Sequence, residues 1–110
     1  MGHSEGSISA EVAKLDALVS YQDGSVVSRE IVSEPTGTVT LFAFDQGQGL
    51  SEHTASFDAL VYVFEGKAEI IISGKPFNVE EGSAILMPAN QPHALKAIDK
   101  FKMMLTMIKA

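Results

Sequence analysis

Between residues 59 and 65 both faces of an extended segment would be apolar, because Ala59, Val61 and Val63 alternate with Leu60, Tyr62 and Phe64. Side chains along a strand point to opposite faces in turn, so such a strand needs a cover on each side. Further short runs of β-branched, aromatic and aliphatic residues lie at 26–32, 38–45, 50–55, 67–73, 76–79, 83–87, 93–98 and 101–108. Turn signals punctuate them: Asp23-Gly24, Pro35-Thr36-Gly37, Glu65-Gly66, Ser73-Gly74, Glu81-Gly82, the stretch 88–92 and Asp99-Lys100. Short strands at this rhythm, with almost no helix, predict an all-β barrel or sandwich.

The beginning of the chain has a different pattern. Residues 1–8 are mostly Gly, Ser, Glu and His, with little to bury, and are expected to form a mobile tail that includes His3. From Ser9 onward, Val12, Leu15, Leu18 and Val19 recur at helical spacing, with Ser9 as an N-cap and Glu11 in the first turn, where the helix dipole favours an acid. A short amphipathic N-terminal helix is therefore predicted. Residues 9–110 then make one domain, since 110 residues suit a single core.

Composition narrows the partners. A hydrophobic content of 45% with 20% charged residues is ordinary for a soluble globular protein. The net charge of −6, without clustered Lys and Arg, argues against nucleic acid and anionic membrane as partners. No cysteine is present, which excludes disulfides, thiolate metal sites and cysteine nucleophiles and fits a reducing cytoplasm. No apolar run has the length of a secretory signal or a spanning helix.

Two spacings carry the candidate chemistry. The first runs Gly47, five residues, His53, Thr54, Ala55, three residues, Ala59, six residues, Gly66; the second runs Gly82, five residues, Pro88, Ala89, Asn90, two residues, His93. Over 47–66 and 82–97 they resemble the two motifs of the cupin superfamily. That resemblance implies a small double-stranded β-helix, or jelly-roll, barrel. It also implies a metal position held by two His and a Glu of the first motif and one His of the second. His53 and His93 match, but Ala55 and Ala59 stand at the other two ligand positions, Ala97 at the family's Asn and Asn90 at its turn Gly. Asn tolerates left-handed backbone better than most residues, so Asn90 can keep the turn. No metal is expected; if any binds, His53 and His93 hold it, and a divalent transition metal is the alternative cofactor.

Strand alternation says which groups can meet. Ser51, His53 and Ala55 share a face, with Glu52 and Thr54 pointing away, and Asp58 lies opposite to Ala59 unless a bulge shifts the register. His93, Leu95 and Ala97 share a face, and Met103, Leu105 and Met107 share another, with Met104 turned away. The expected ligand-binding residues are His53, His93, Ala55, Ala59, Val61 and Leu95: an apolar pocket, with Val63 in its wall and two imidazoles as polar handles. No residue is assigned as catalytic. Neither tyrosine, Tyr21 or Tyr62, is placed in this pocket as an acid partner for a histidine base.

The function expected is binding of a small molecule with weak or no metal-dependent catalysis. One alternative, implied by the resemblance, is a dioxygenase or isomerase whose two-His site is completed by solvent, substrate or Asp58. The other is a dimerising structural or regulatory protein with a vestigial pocket. A homodimer is expected as the partner state, because the strand at 59–65 is apolar on both faces and cupins commonly pair.

Overall fold

The structure is a computed structural model that describes residues 8–109. Among these residues eight strands follow one short helix, α1 (Leu15–Leu18): β1 (Val26–Glu34), β2 (Gly37–Phe44), β3 (Gly49–His53), β4 (Phe57–Ile72), β5 (Lys75–Glu80), β6 (Ala84–Met87), β7 (His93–Lys96) and β8 (Phe101–Lys109). The expected all-β class with a short N-terminal helix is observed. All pairings are antiparallel, and they form two curled sheets that share β4. One sheet runs β1-β2-β8-β4-β6 and the other β3-β7-β4-β5.

The turn expected at Glu65-Gly66 does not exist. Residues on either side belong to one strand, and its register against β8 slips between Val63 and Glu65. Gly66 has φ of 78°, and a Cβ there would collide with the Lys100 carbonyl oxygen. The glycine is thus a corner, at which β4 leaves one sheet and enters the other, and a bulge supplies the bend. The first half of β4 pairs with β6 and β8, the second with β5 and β7.

The inner faces of the two sheets enclose the main core. Val61, Val63, Ile70 and Met103 are fully buried there, Phe44 stacks on Phe101 at 4.5 Å between ring centroids, and Leu105 and Met107 pack against the same group. The alternation expected for 103–107 holds, since Met104 belongs to a second layer outside the barrel.

That second layer is the N-terminal segment. Ile8, Leu15, Leu18, Val19 and Tyr21 lie with Phe64, Met104, Leu41 and Ala43 on the outer face of the first sheet. The helix is one turn rather than the longer element expected from 9–19. Ala10 takes φ of 58°, the Glu11 amide donates to the Ile8 carbonyl at 3.0 Å, and Lys14 rather than Ser9 precedes the helix. A short helix has little stability of its own, so packing against the sheet decides the path, and Val12 is left exposed. Ile8, expected in the tail, is half-buried in this layer, while residues 1–7, including His3, lie outside the described residues.

A polar cluster fastens the segment. Lys102, 7% exposed, donates from Nζ to the Asp16 carbonyl at 2.7 Å and lies 5.1 Å from the centre of the Tyr21 ring and 3.9 Å from Glu65 Oε2. The Tyr21 hydroxyl donates to that same carboxylate oxygen. Burial, then the hydrogen bond to Glu65 and the charges of Glu65 and Glu81, push the Tyr21 phenol above its ordinary pKa. No described helix is long and apolar enough to cross a membrane.

Candidate functional site

His53 ends β3, and the loop before that strand is tied to the end of β7. The Gly47 amide donates to the Ala97 carbonyl and the Ala97 amide to the Gln48 carbonyl, each at 2.8 Å. Leu50 lies opposite Leu95 and His53 opposite His93, with a register slip between the two pairs. The slip changes the expected face: Leu50, three residues before His53, packs on the inner core, whereas Ser51 is exposed. A bulge in β3 therefore removes Ser51 from the inward set and puts Leu50 in its place.

His93 opens β7 after the turn at 88–92, which is held from three sides. Asp58 Oδ1 accepts from the Ala89 amide at 2.9 Å, the Asn90 amide donates to the Ala55 carbonyl at 2.7 Å, and the Ser73 amide donates to the Pro92 carbonyl at 2.8 Å. Asn90 sits at φ of 65°, the left-handed conformation expected where the resembling motif has Gly. Asp58 pairs in register with Ile108 on the outer face and is committed to this turn, so it does not join the histidines.

The two imidazoles meet edge to face, with centroids 4.3 Å apart and planes at 70°. His53 is exposed at the rim and His93 is 5% exposed beneath it. His53 Nδ1 lies 2.7 Å from the Ser51 carbonyl oxygen, His93 Nδ1 lies 3.2 Å from the Gln91 carbonyl oxygen, and the two Nε2 atoms are 3.0 Å apart. A carbonyl only accepts, so each Nδ1 is the protonated nitrogen of its ring. Burial lowers the His93 pKa; the Gln91 bond opposes that shift and the neighbouring His53 adds to it.

Of the other expected pocket residues, Ala59, Val61 and Leu95 are buried in the inner core and Ala55 is half-buried beside the turn. Ile72 lies opposite His93 on β4 and packs on the same core, a contact that the sequence reading missed because β4 was taken as two strands. The carbonyls of Ser51 and Gln91, which orient the rings, were also missed; main-chain acceptors carry no signal in residue type.

Residues 40–109 match the family model for the cupin domain. The chain belongs to the cupin family. No curated protein matches it. Among solved structures it is similar to the conserved SPY1581 protein of unknown function from Streptococcus pyogenes, at 34% identity and a TM-score of 0.93, covering 100% of this chain and 96% of that one. It is also similar to a cupin 2 conserved barrel domain protein from Leptotrichia buccalis, at 40% identity and a TM-score of 0.83, covering 84% of this chain and 45% of that one. A salicylate 1,2-dioxygenase mutant from Pseudoaminobacter salicylatoxidans, at 18% identity and a TM-score of 0.70 over 76% of this chain and 25% of that one, shares the fold alone.

The cupin family implies a metal ion, and the residues present here do not fit one. Among the described residues no three His, Cys, Asp or Glu side chains converge. Ala55 and Ala59 offer no ligand atoms, Asp58 is engaged elsewhere, and metal sites of this kind use three or four protein ligands.

Proposed function

We propose that this cupin binds a small, largely apolar molecule at the rim of its barrel, with His53 and His93 as polar anchors and Ala55, Ala59, Val61 and Leu95 in or near the apolar wall. The observation that carries this reading is the meeting of two imidazoles beside an apolar inner core, with no third coordinating side chain among the described residues. Apolar surroundings with a few placed polar groups are what small-molecule sites generally offer. The test is an NMR screen of small acids, sugars and aromatic compounds against labelled protein. Hits should shift the His53 and His93 resonances, and His53→Ala should abolish their binding; hits that bind the variant unchanged would remove the histidines from the site.

We also propose that the protein pairs with a second copy of itself. Register places Val32, Val39, Thr106, Leu60 and Leu86 in one row across the first sheet, with Val39 packed against the outer layer. Val32, Leu60 and Leu86 are exposed, as is the neighbouring Ile108. Leu60→Asp combined with Leu86→Asp should convert a dimer to a folded monomer by sedimentation at micromolar concentration. An unchanged mass would place the interface elsewhere. The absence of cysteine suits a reducing compartment such as the cytoplasm.

A further inference from the structure

A charged side chain shares the inner face of the second sheet with the histidines. The turn at Ser73-Gly74, with φ of 49° and 81°, is the tight two-residue hairpin type, and it sets Ile72 and Lys75 directly opposite one another. Ile72 is also opposite His93, and His93 is opposite His53. One register row therefore runs His53, His93, Ile72, Lys75 across β3, β7, β4 and β5. Opposite residues share a face, and the next such pair on β4 and β5, Ile70 with Phe77, has Ile70 in the inner core, so Lys75 starts from the inner side. Its ammonium stays on that side, with Nζ 5.4 Å from the centre of the half-buried Phe77 ring.

We infer that the rim site selects a small carboxylic acid, with its carboxylate at Lys75, its apolar body across Ile72 and Phe77, and the imidazoles at its other end; this rests on the pocket reading above. Neighbouring strands are about 4.8 Å apart, so the backbones at His93 and Lys75, two strands apart, are separated by about 10 Å. That span holds one aromatic ring or a short chain between an imidazole and an ammonium. The two ends of the site are tied together. The Ser73 amide donates to the Pro92 carbonyl at 2.8 Å and Ser73 Oγ to Gln91 Oε1 at 3.2 Å, which joins the hairpin that carries Lys75 to the turn that carries His93.

A chain of net charge −6 repels anions as a whole, so a bound carboxylate needs a local cation. Lys75 is available for that role. Among the described residues no carboxylate lies within ion-pair distance of it, and Glu69 and Glu80 are on the opposite face of the sheet, in register with Lys96 and Lys67. Lys75 also stands on an edge strand, where an inward charge discourages pairing with another chain. That role alone would leave ligand affinity untouched.

Matched acids and amides, benzoate with benzamide and hexanoate with hexanamide, test the inference by NMR titration of labelled protein at low salt. Each acid should bind about fivefold tighter than its amide, the upper range for an exposed ion pair, and added salt should shrink the preference. Lys75→Gln should erase it by weakening the acids while leaving the amides unchanged, and Lys75→Arg should keep it. Equal binding of acids and amides, or a preference that survives Lys75→Gln, would overturn the inference and leave the pocket in place, with Lys75 only guarding the edge. A preference lost in Lys75→Gln but indifferent to His53→Ala would keep the lysine and remove the histidines from the site. If neither acids nor amides bind at millimolar concentration, the pocket reading fails and the inference fails with it.

Discussion

Among the described residues polar groups are buried in two places, and the two are built differently. Outside the barrel, the donating groups of the Tyr21, Glu65 and Lys102 cluster face acceptors: the phenol meets a carboxylate, and the ammonium meets a main-chain carbonyl and an aromatic face. At the barrel rim, two imidazoles spend their Nδ1 atoms on carbonyls and turn acceptor against acceptor. A closed network holds structure, because breaking it strands buried groups; an open one leaves a position for something that comes and goes. The outer cluster joins the N-terminal segment to the barrel through three elements, whereas the rim pair joins only two strand ends. Substitutions in the first should therefore be read in stability and substitutions in the second in chemistry.

The largest effect is expected at Tyr21. Tyr21→Ala removes a half-buried aromatic from the outer layer, the hydrogen bond to Glu65 and the ring beneath Lys100 and Lys102. The loss should be about 2–4 kcal/mol in denaturant unfolding, somewhat below that of a fully buried aromatic. The segment around α1 should also become open to proteolysis. A loss under about 0.5 kcal/mol would mean that the cluster only decorates the surface.

A smaller effect separates the two regions by pH. Tyr21 has its pKa raised in the folded state, by burial and by Glu65, so above the ordinary tyrosine value near 10 the unfolded chain releases a proton that the folded chain keeps. Stability should fall as pH rises through that range, and Tyr21→Phe should flatten this limb at a cost of about 1–2 kcal/mol near neutrality for the lost charged hydrogen bond. His93 has its pKa lowered, chiefly by burial, so on acidification through the imidazole range the unfolded chain takes up a proton that the folded chain resists. Stability should fall as pH falls there, and His93→Gln should flatten the acid limb without touching the alkaline one. Thermal unfolding of the three proteins across pH checks both limbs. If both variants altered the same limb, the two regions would not be independent.

The rim was more legible in the sequence than the outer cluster, for a physical reason. His53 and His93 stand at the spacings from the glycines at 47, 66 and 82 that resemble the cupin motifs, and that resemblance is what makes them readable. The outer cluster is assembled from residues distant in sequence. Tyr21 and Glu65 are 44 residues apart, and Lys102 meets Asp16 across 86, through contacts that no local pattern encodes. Its one local trace is a lysine at 102 between Phe101 and Met103, on the face shared with Met104. The two errors of strand reading have a common cause. The corner at Gly66 and the slip between Leu50 and His53 are bulges, and an extra residue in one strand breaks the period of two on which face assignment depends. The one-turn α1 failed differently, because helical spacing describes the apolar positions equally well whether they line a helix or an irregular segment laid across a sheet.

The smallest effect on stability is expected where the effect on chemistry is greatest. His53→Ala removes an exposed ring that touches the fold through the Ser51 carbonyl, which can turn to water instead, and through His93. Little apolar area is uncovered, and the acceptor-against-acceptor contact disappears with the ring. Denaturant unfolding should therefore change by less than about 1 kcal/mol, within the range of surface substitutions. Tyr21→Ala carries the opposite profile, a large loss of stability with the histidine resonances in place. If His53→Ala instead costs about 3 kcal/mol or more, the magnitude of a packed core side chain, the rim pair is a second structural cluster, and the distinction between a closed network that holds the fold and an open one that serves a ligand is lost.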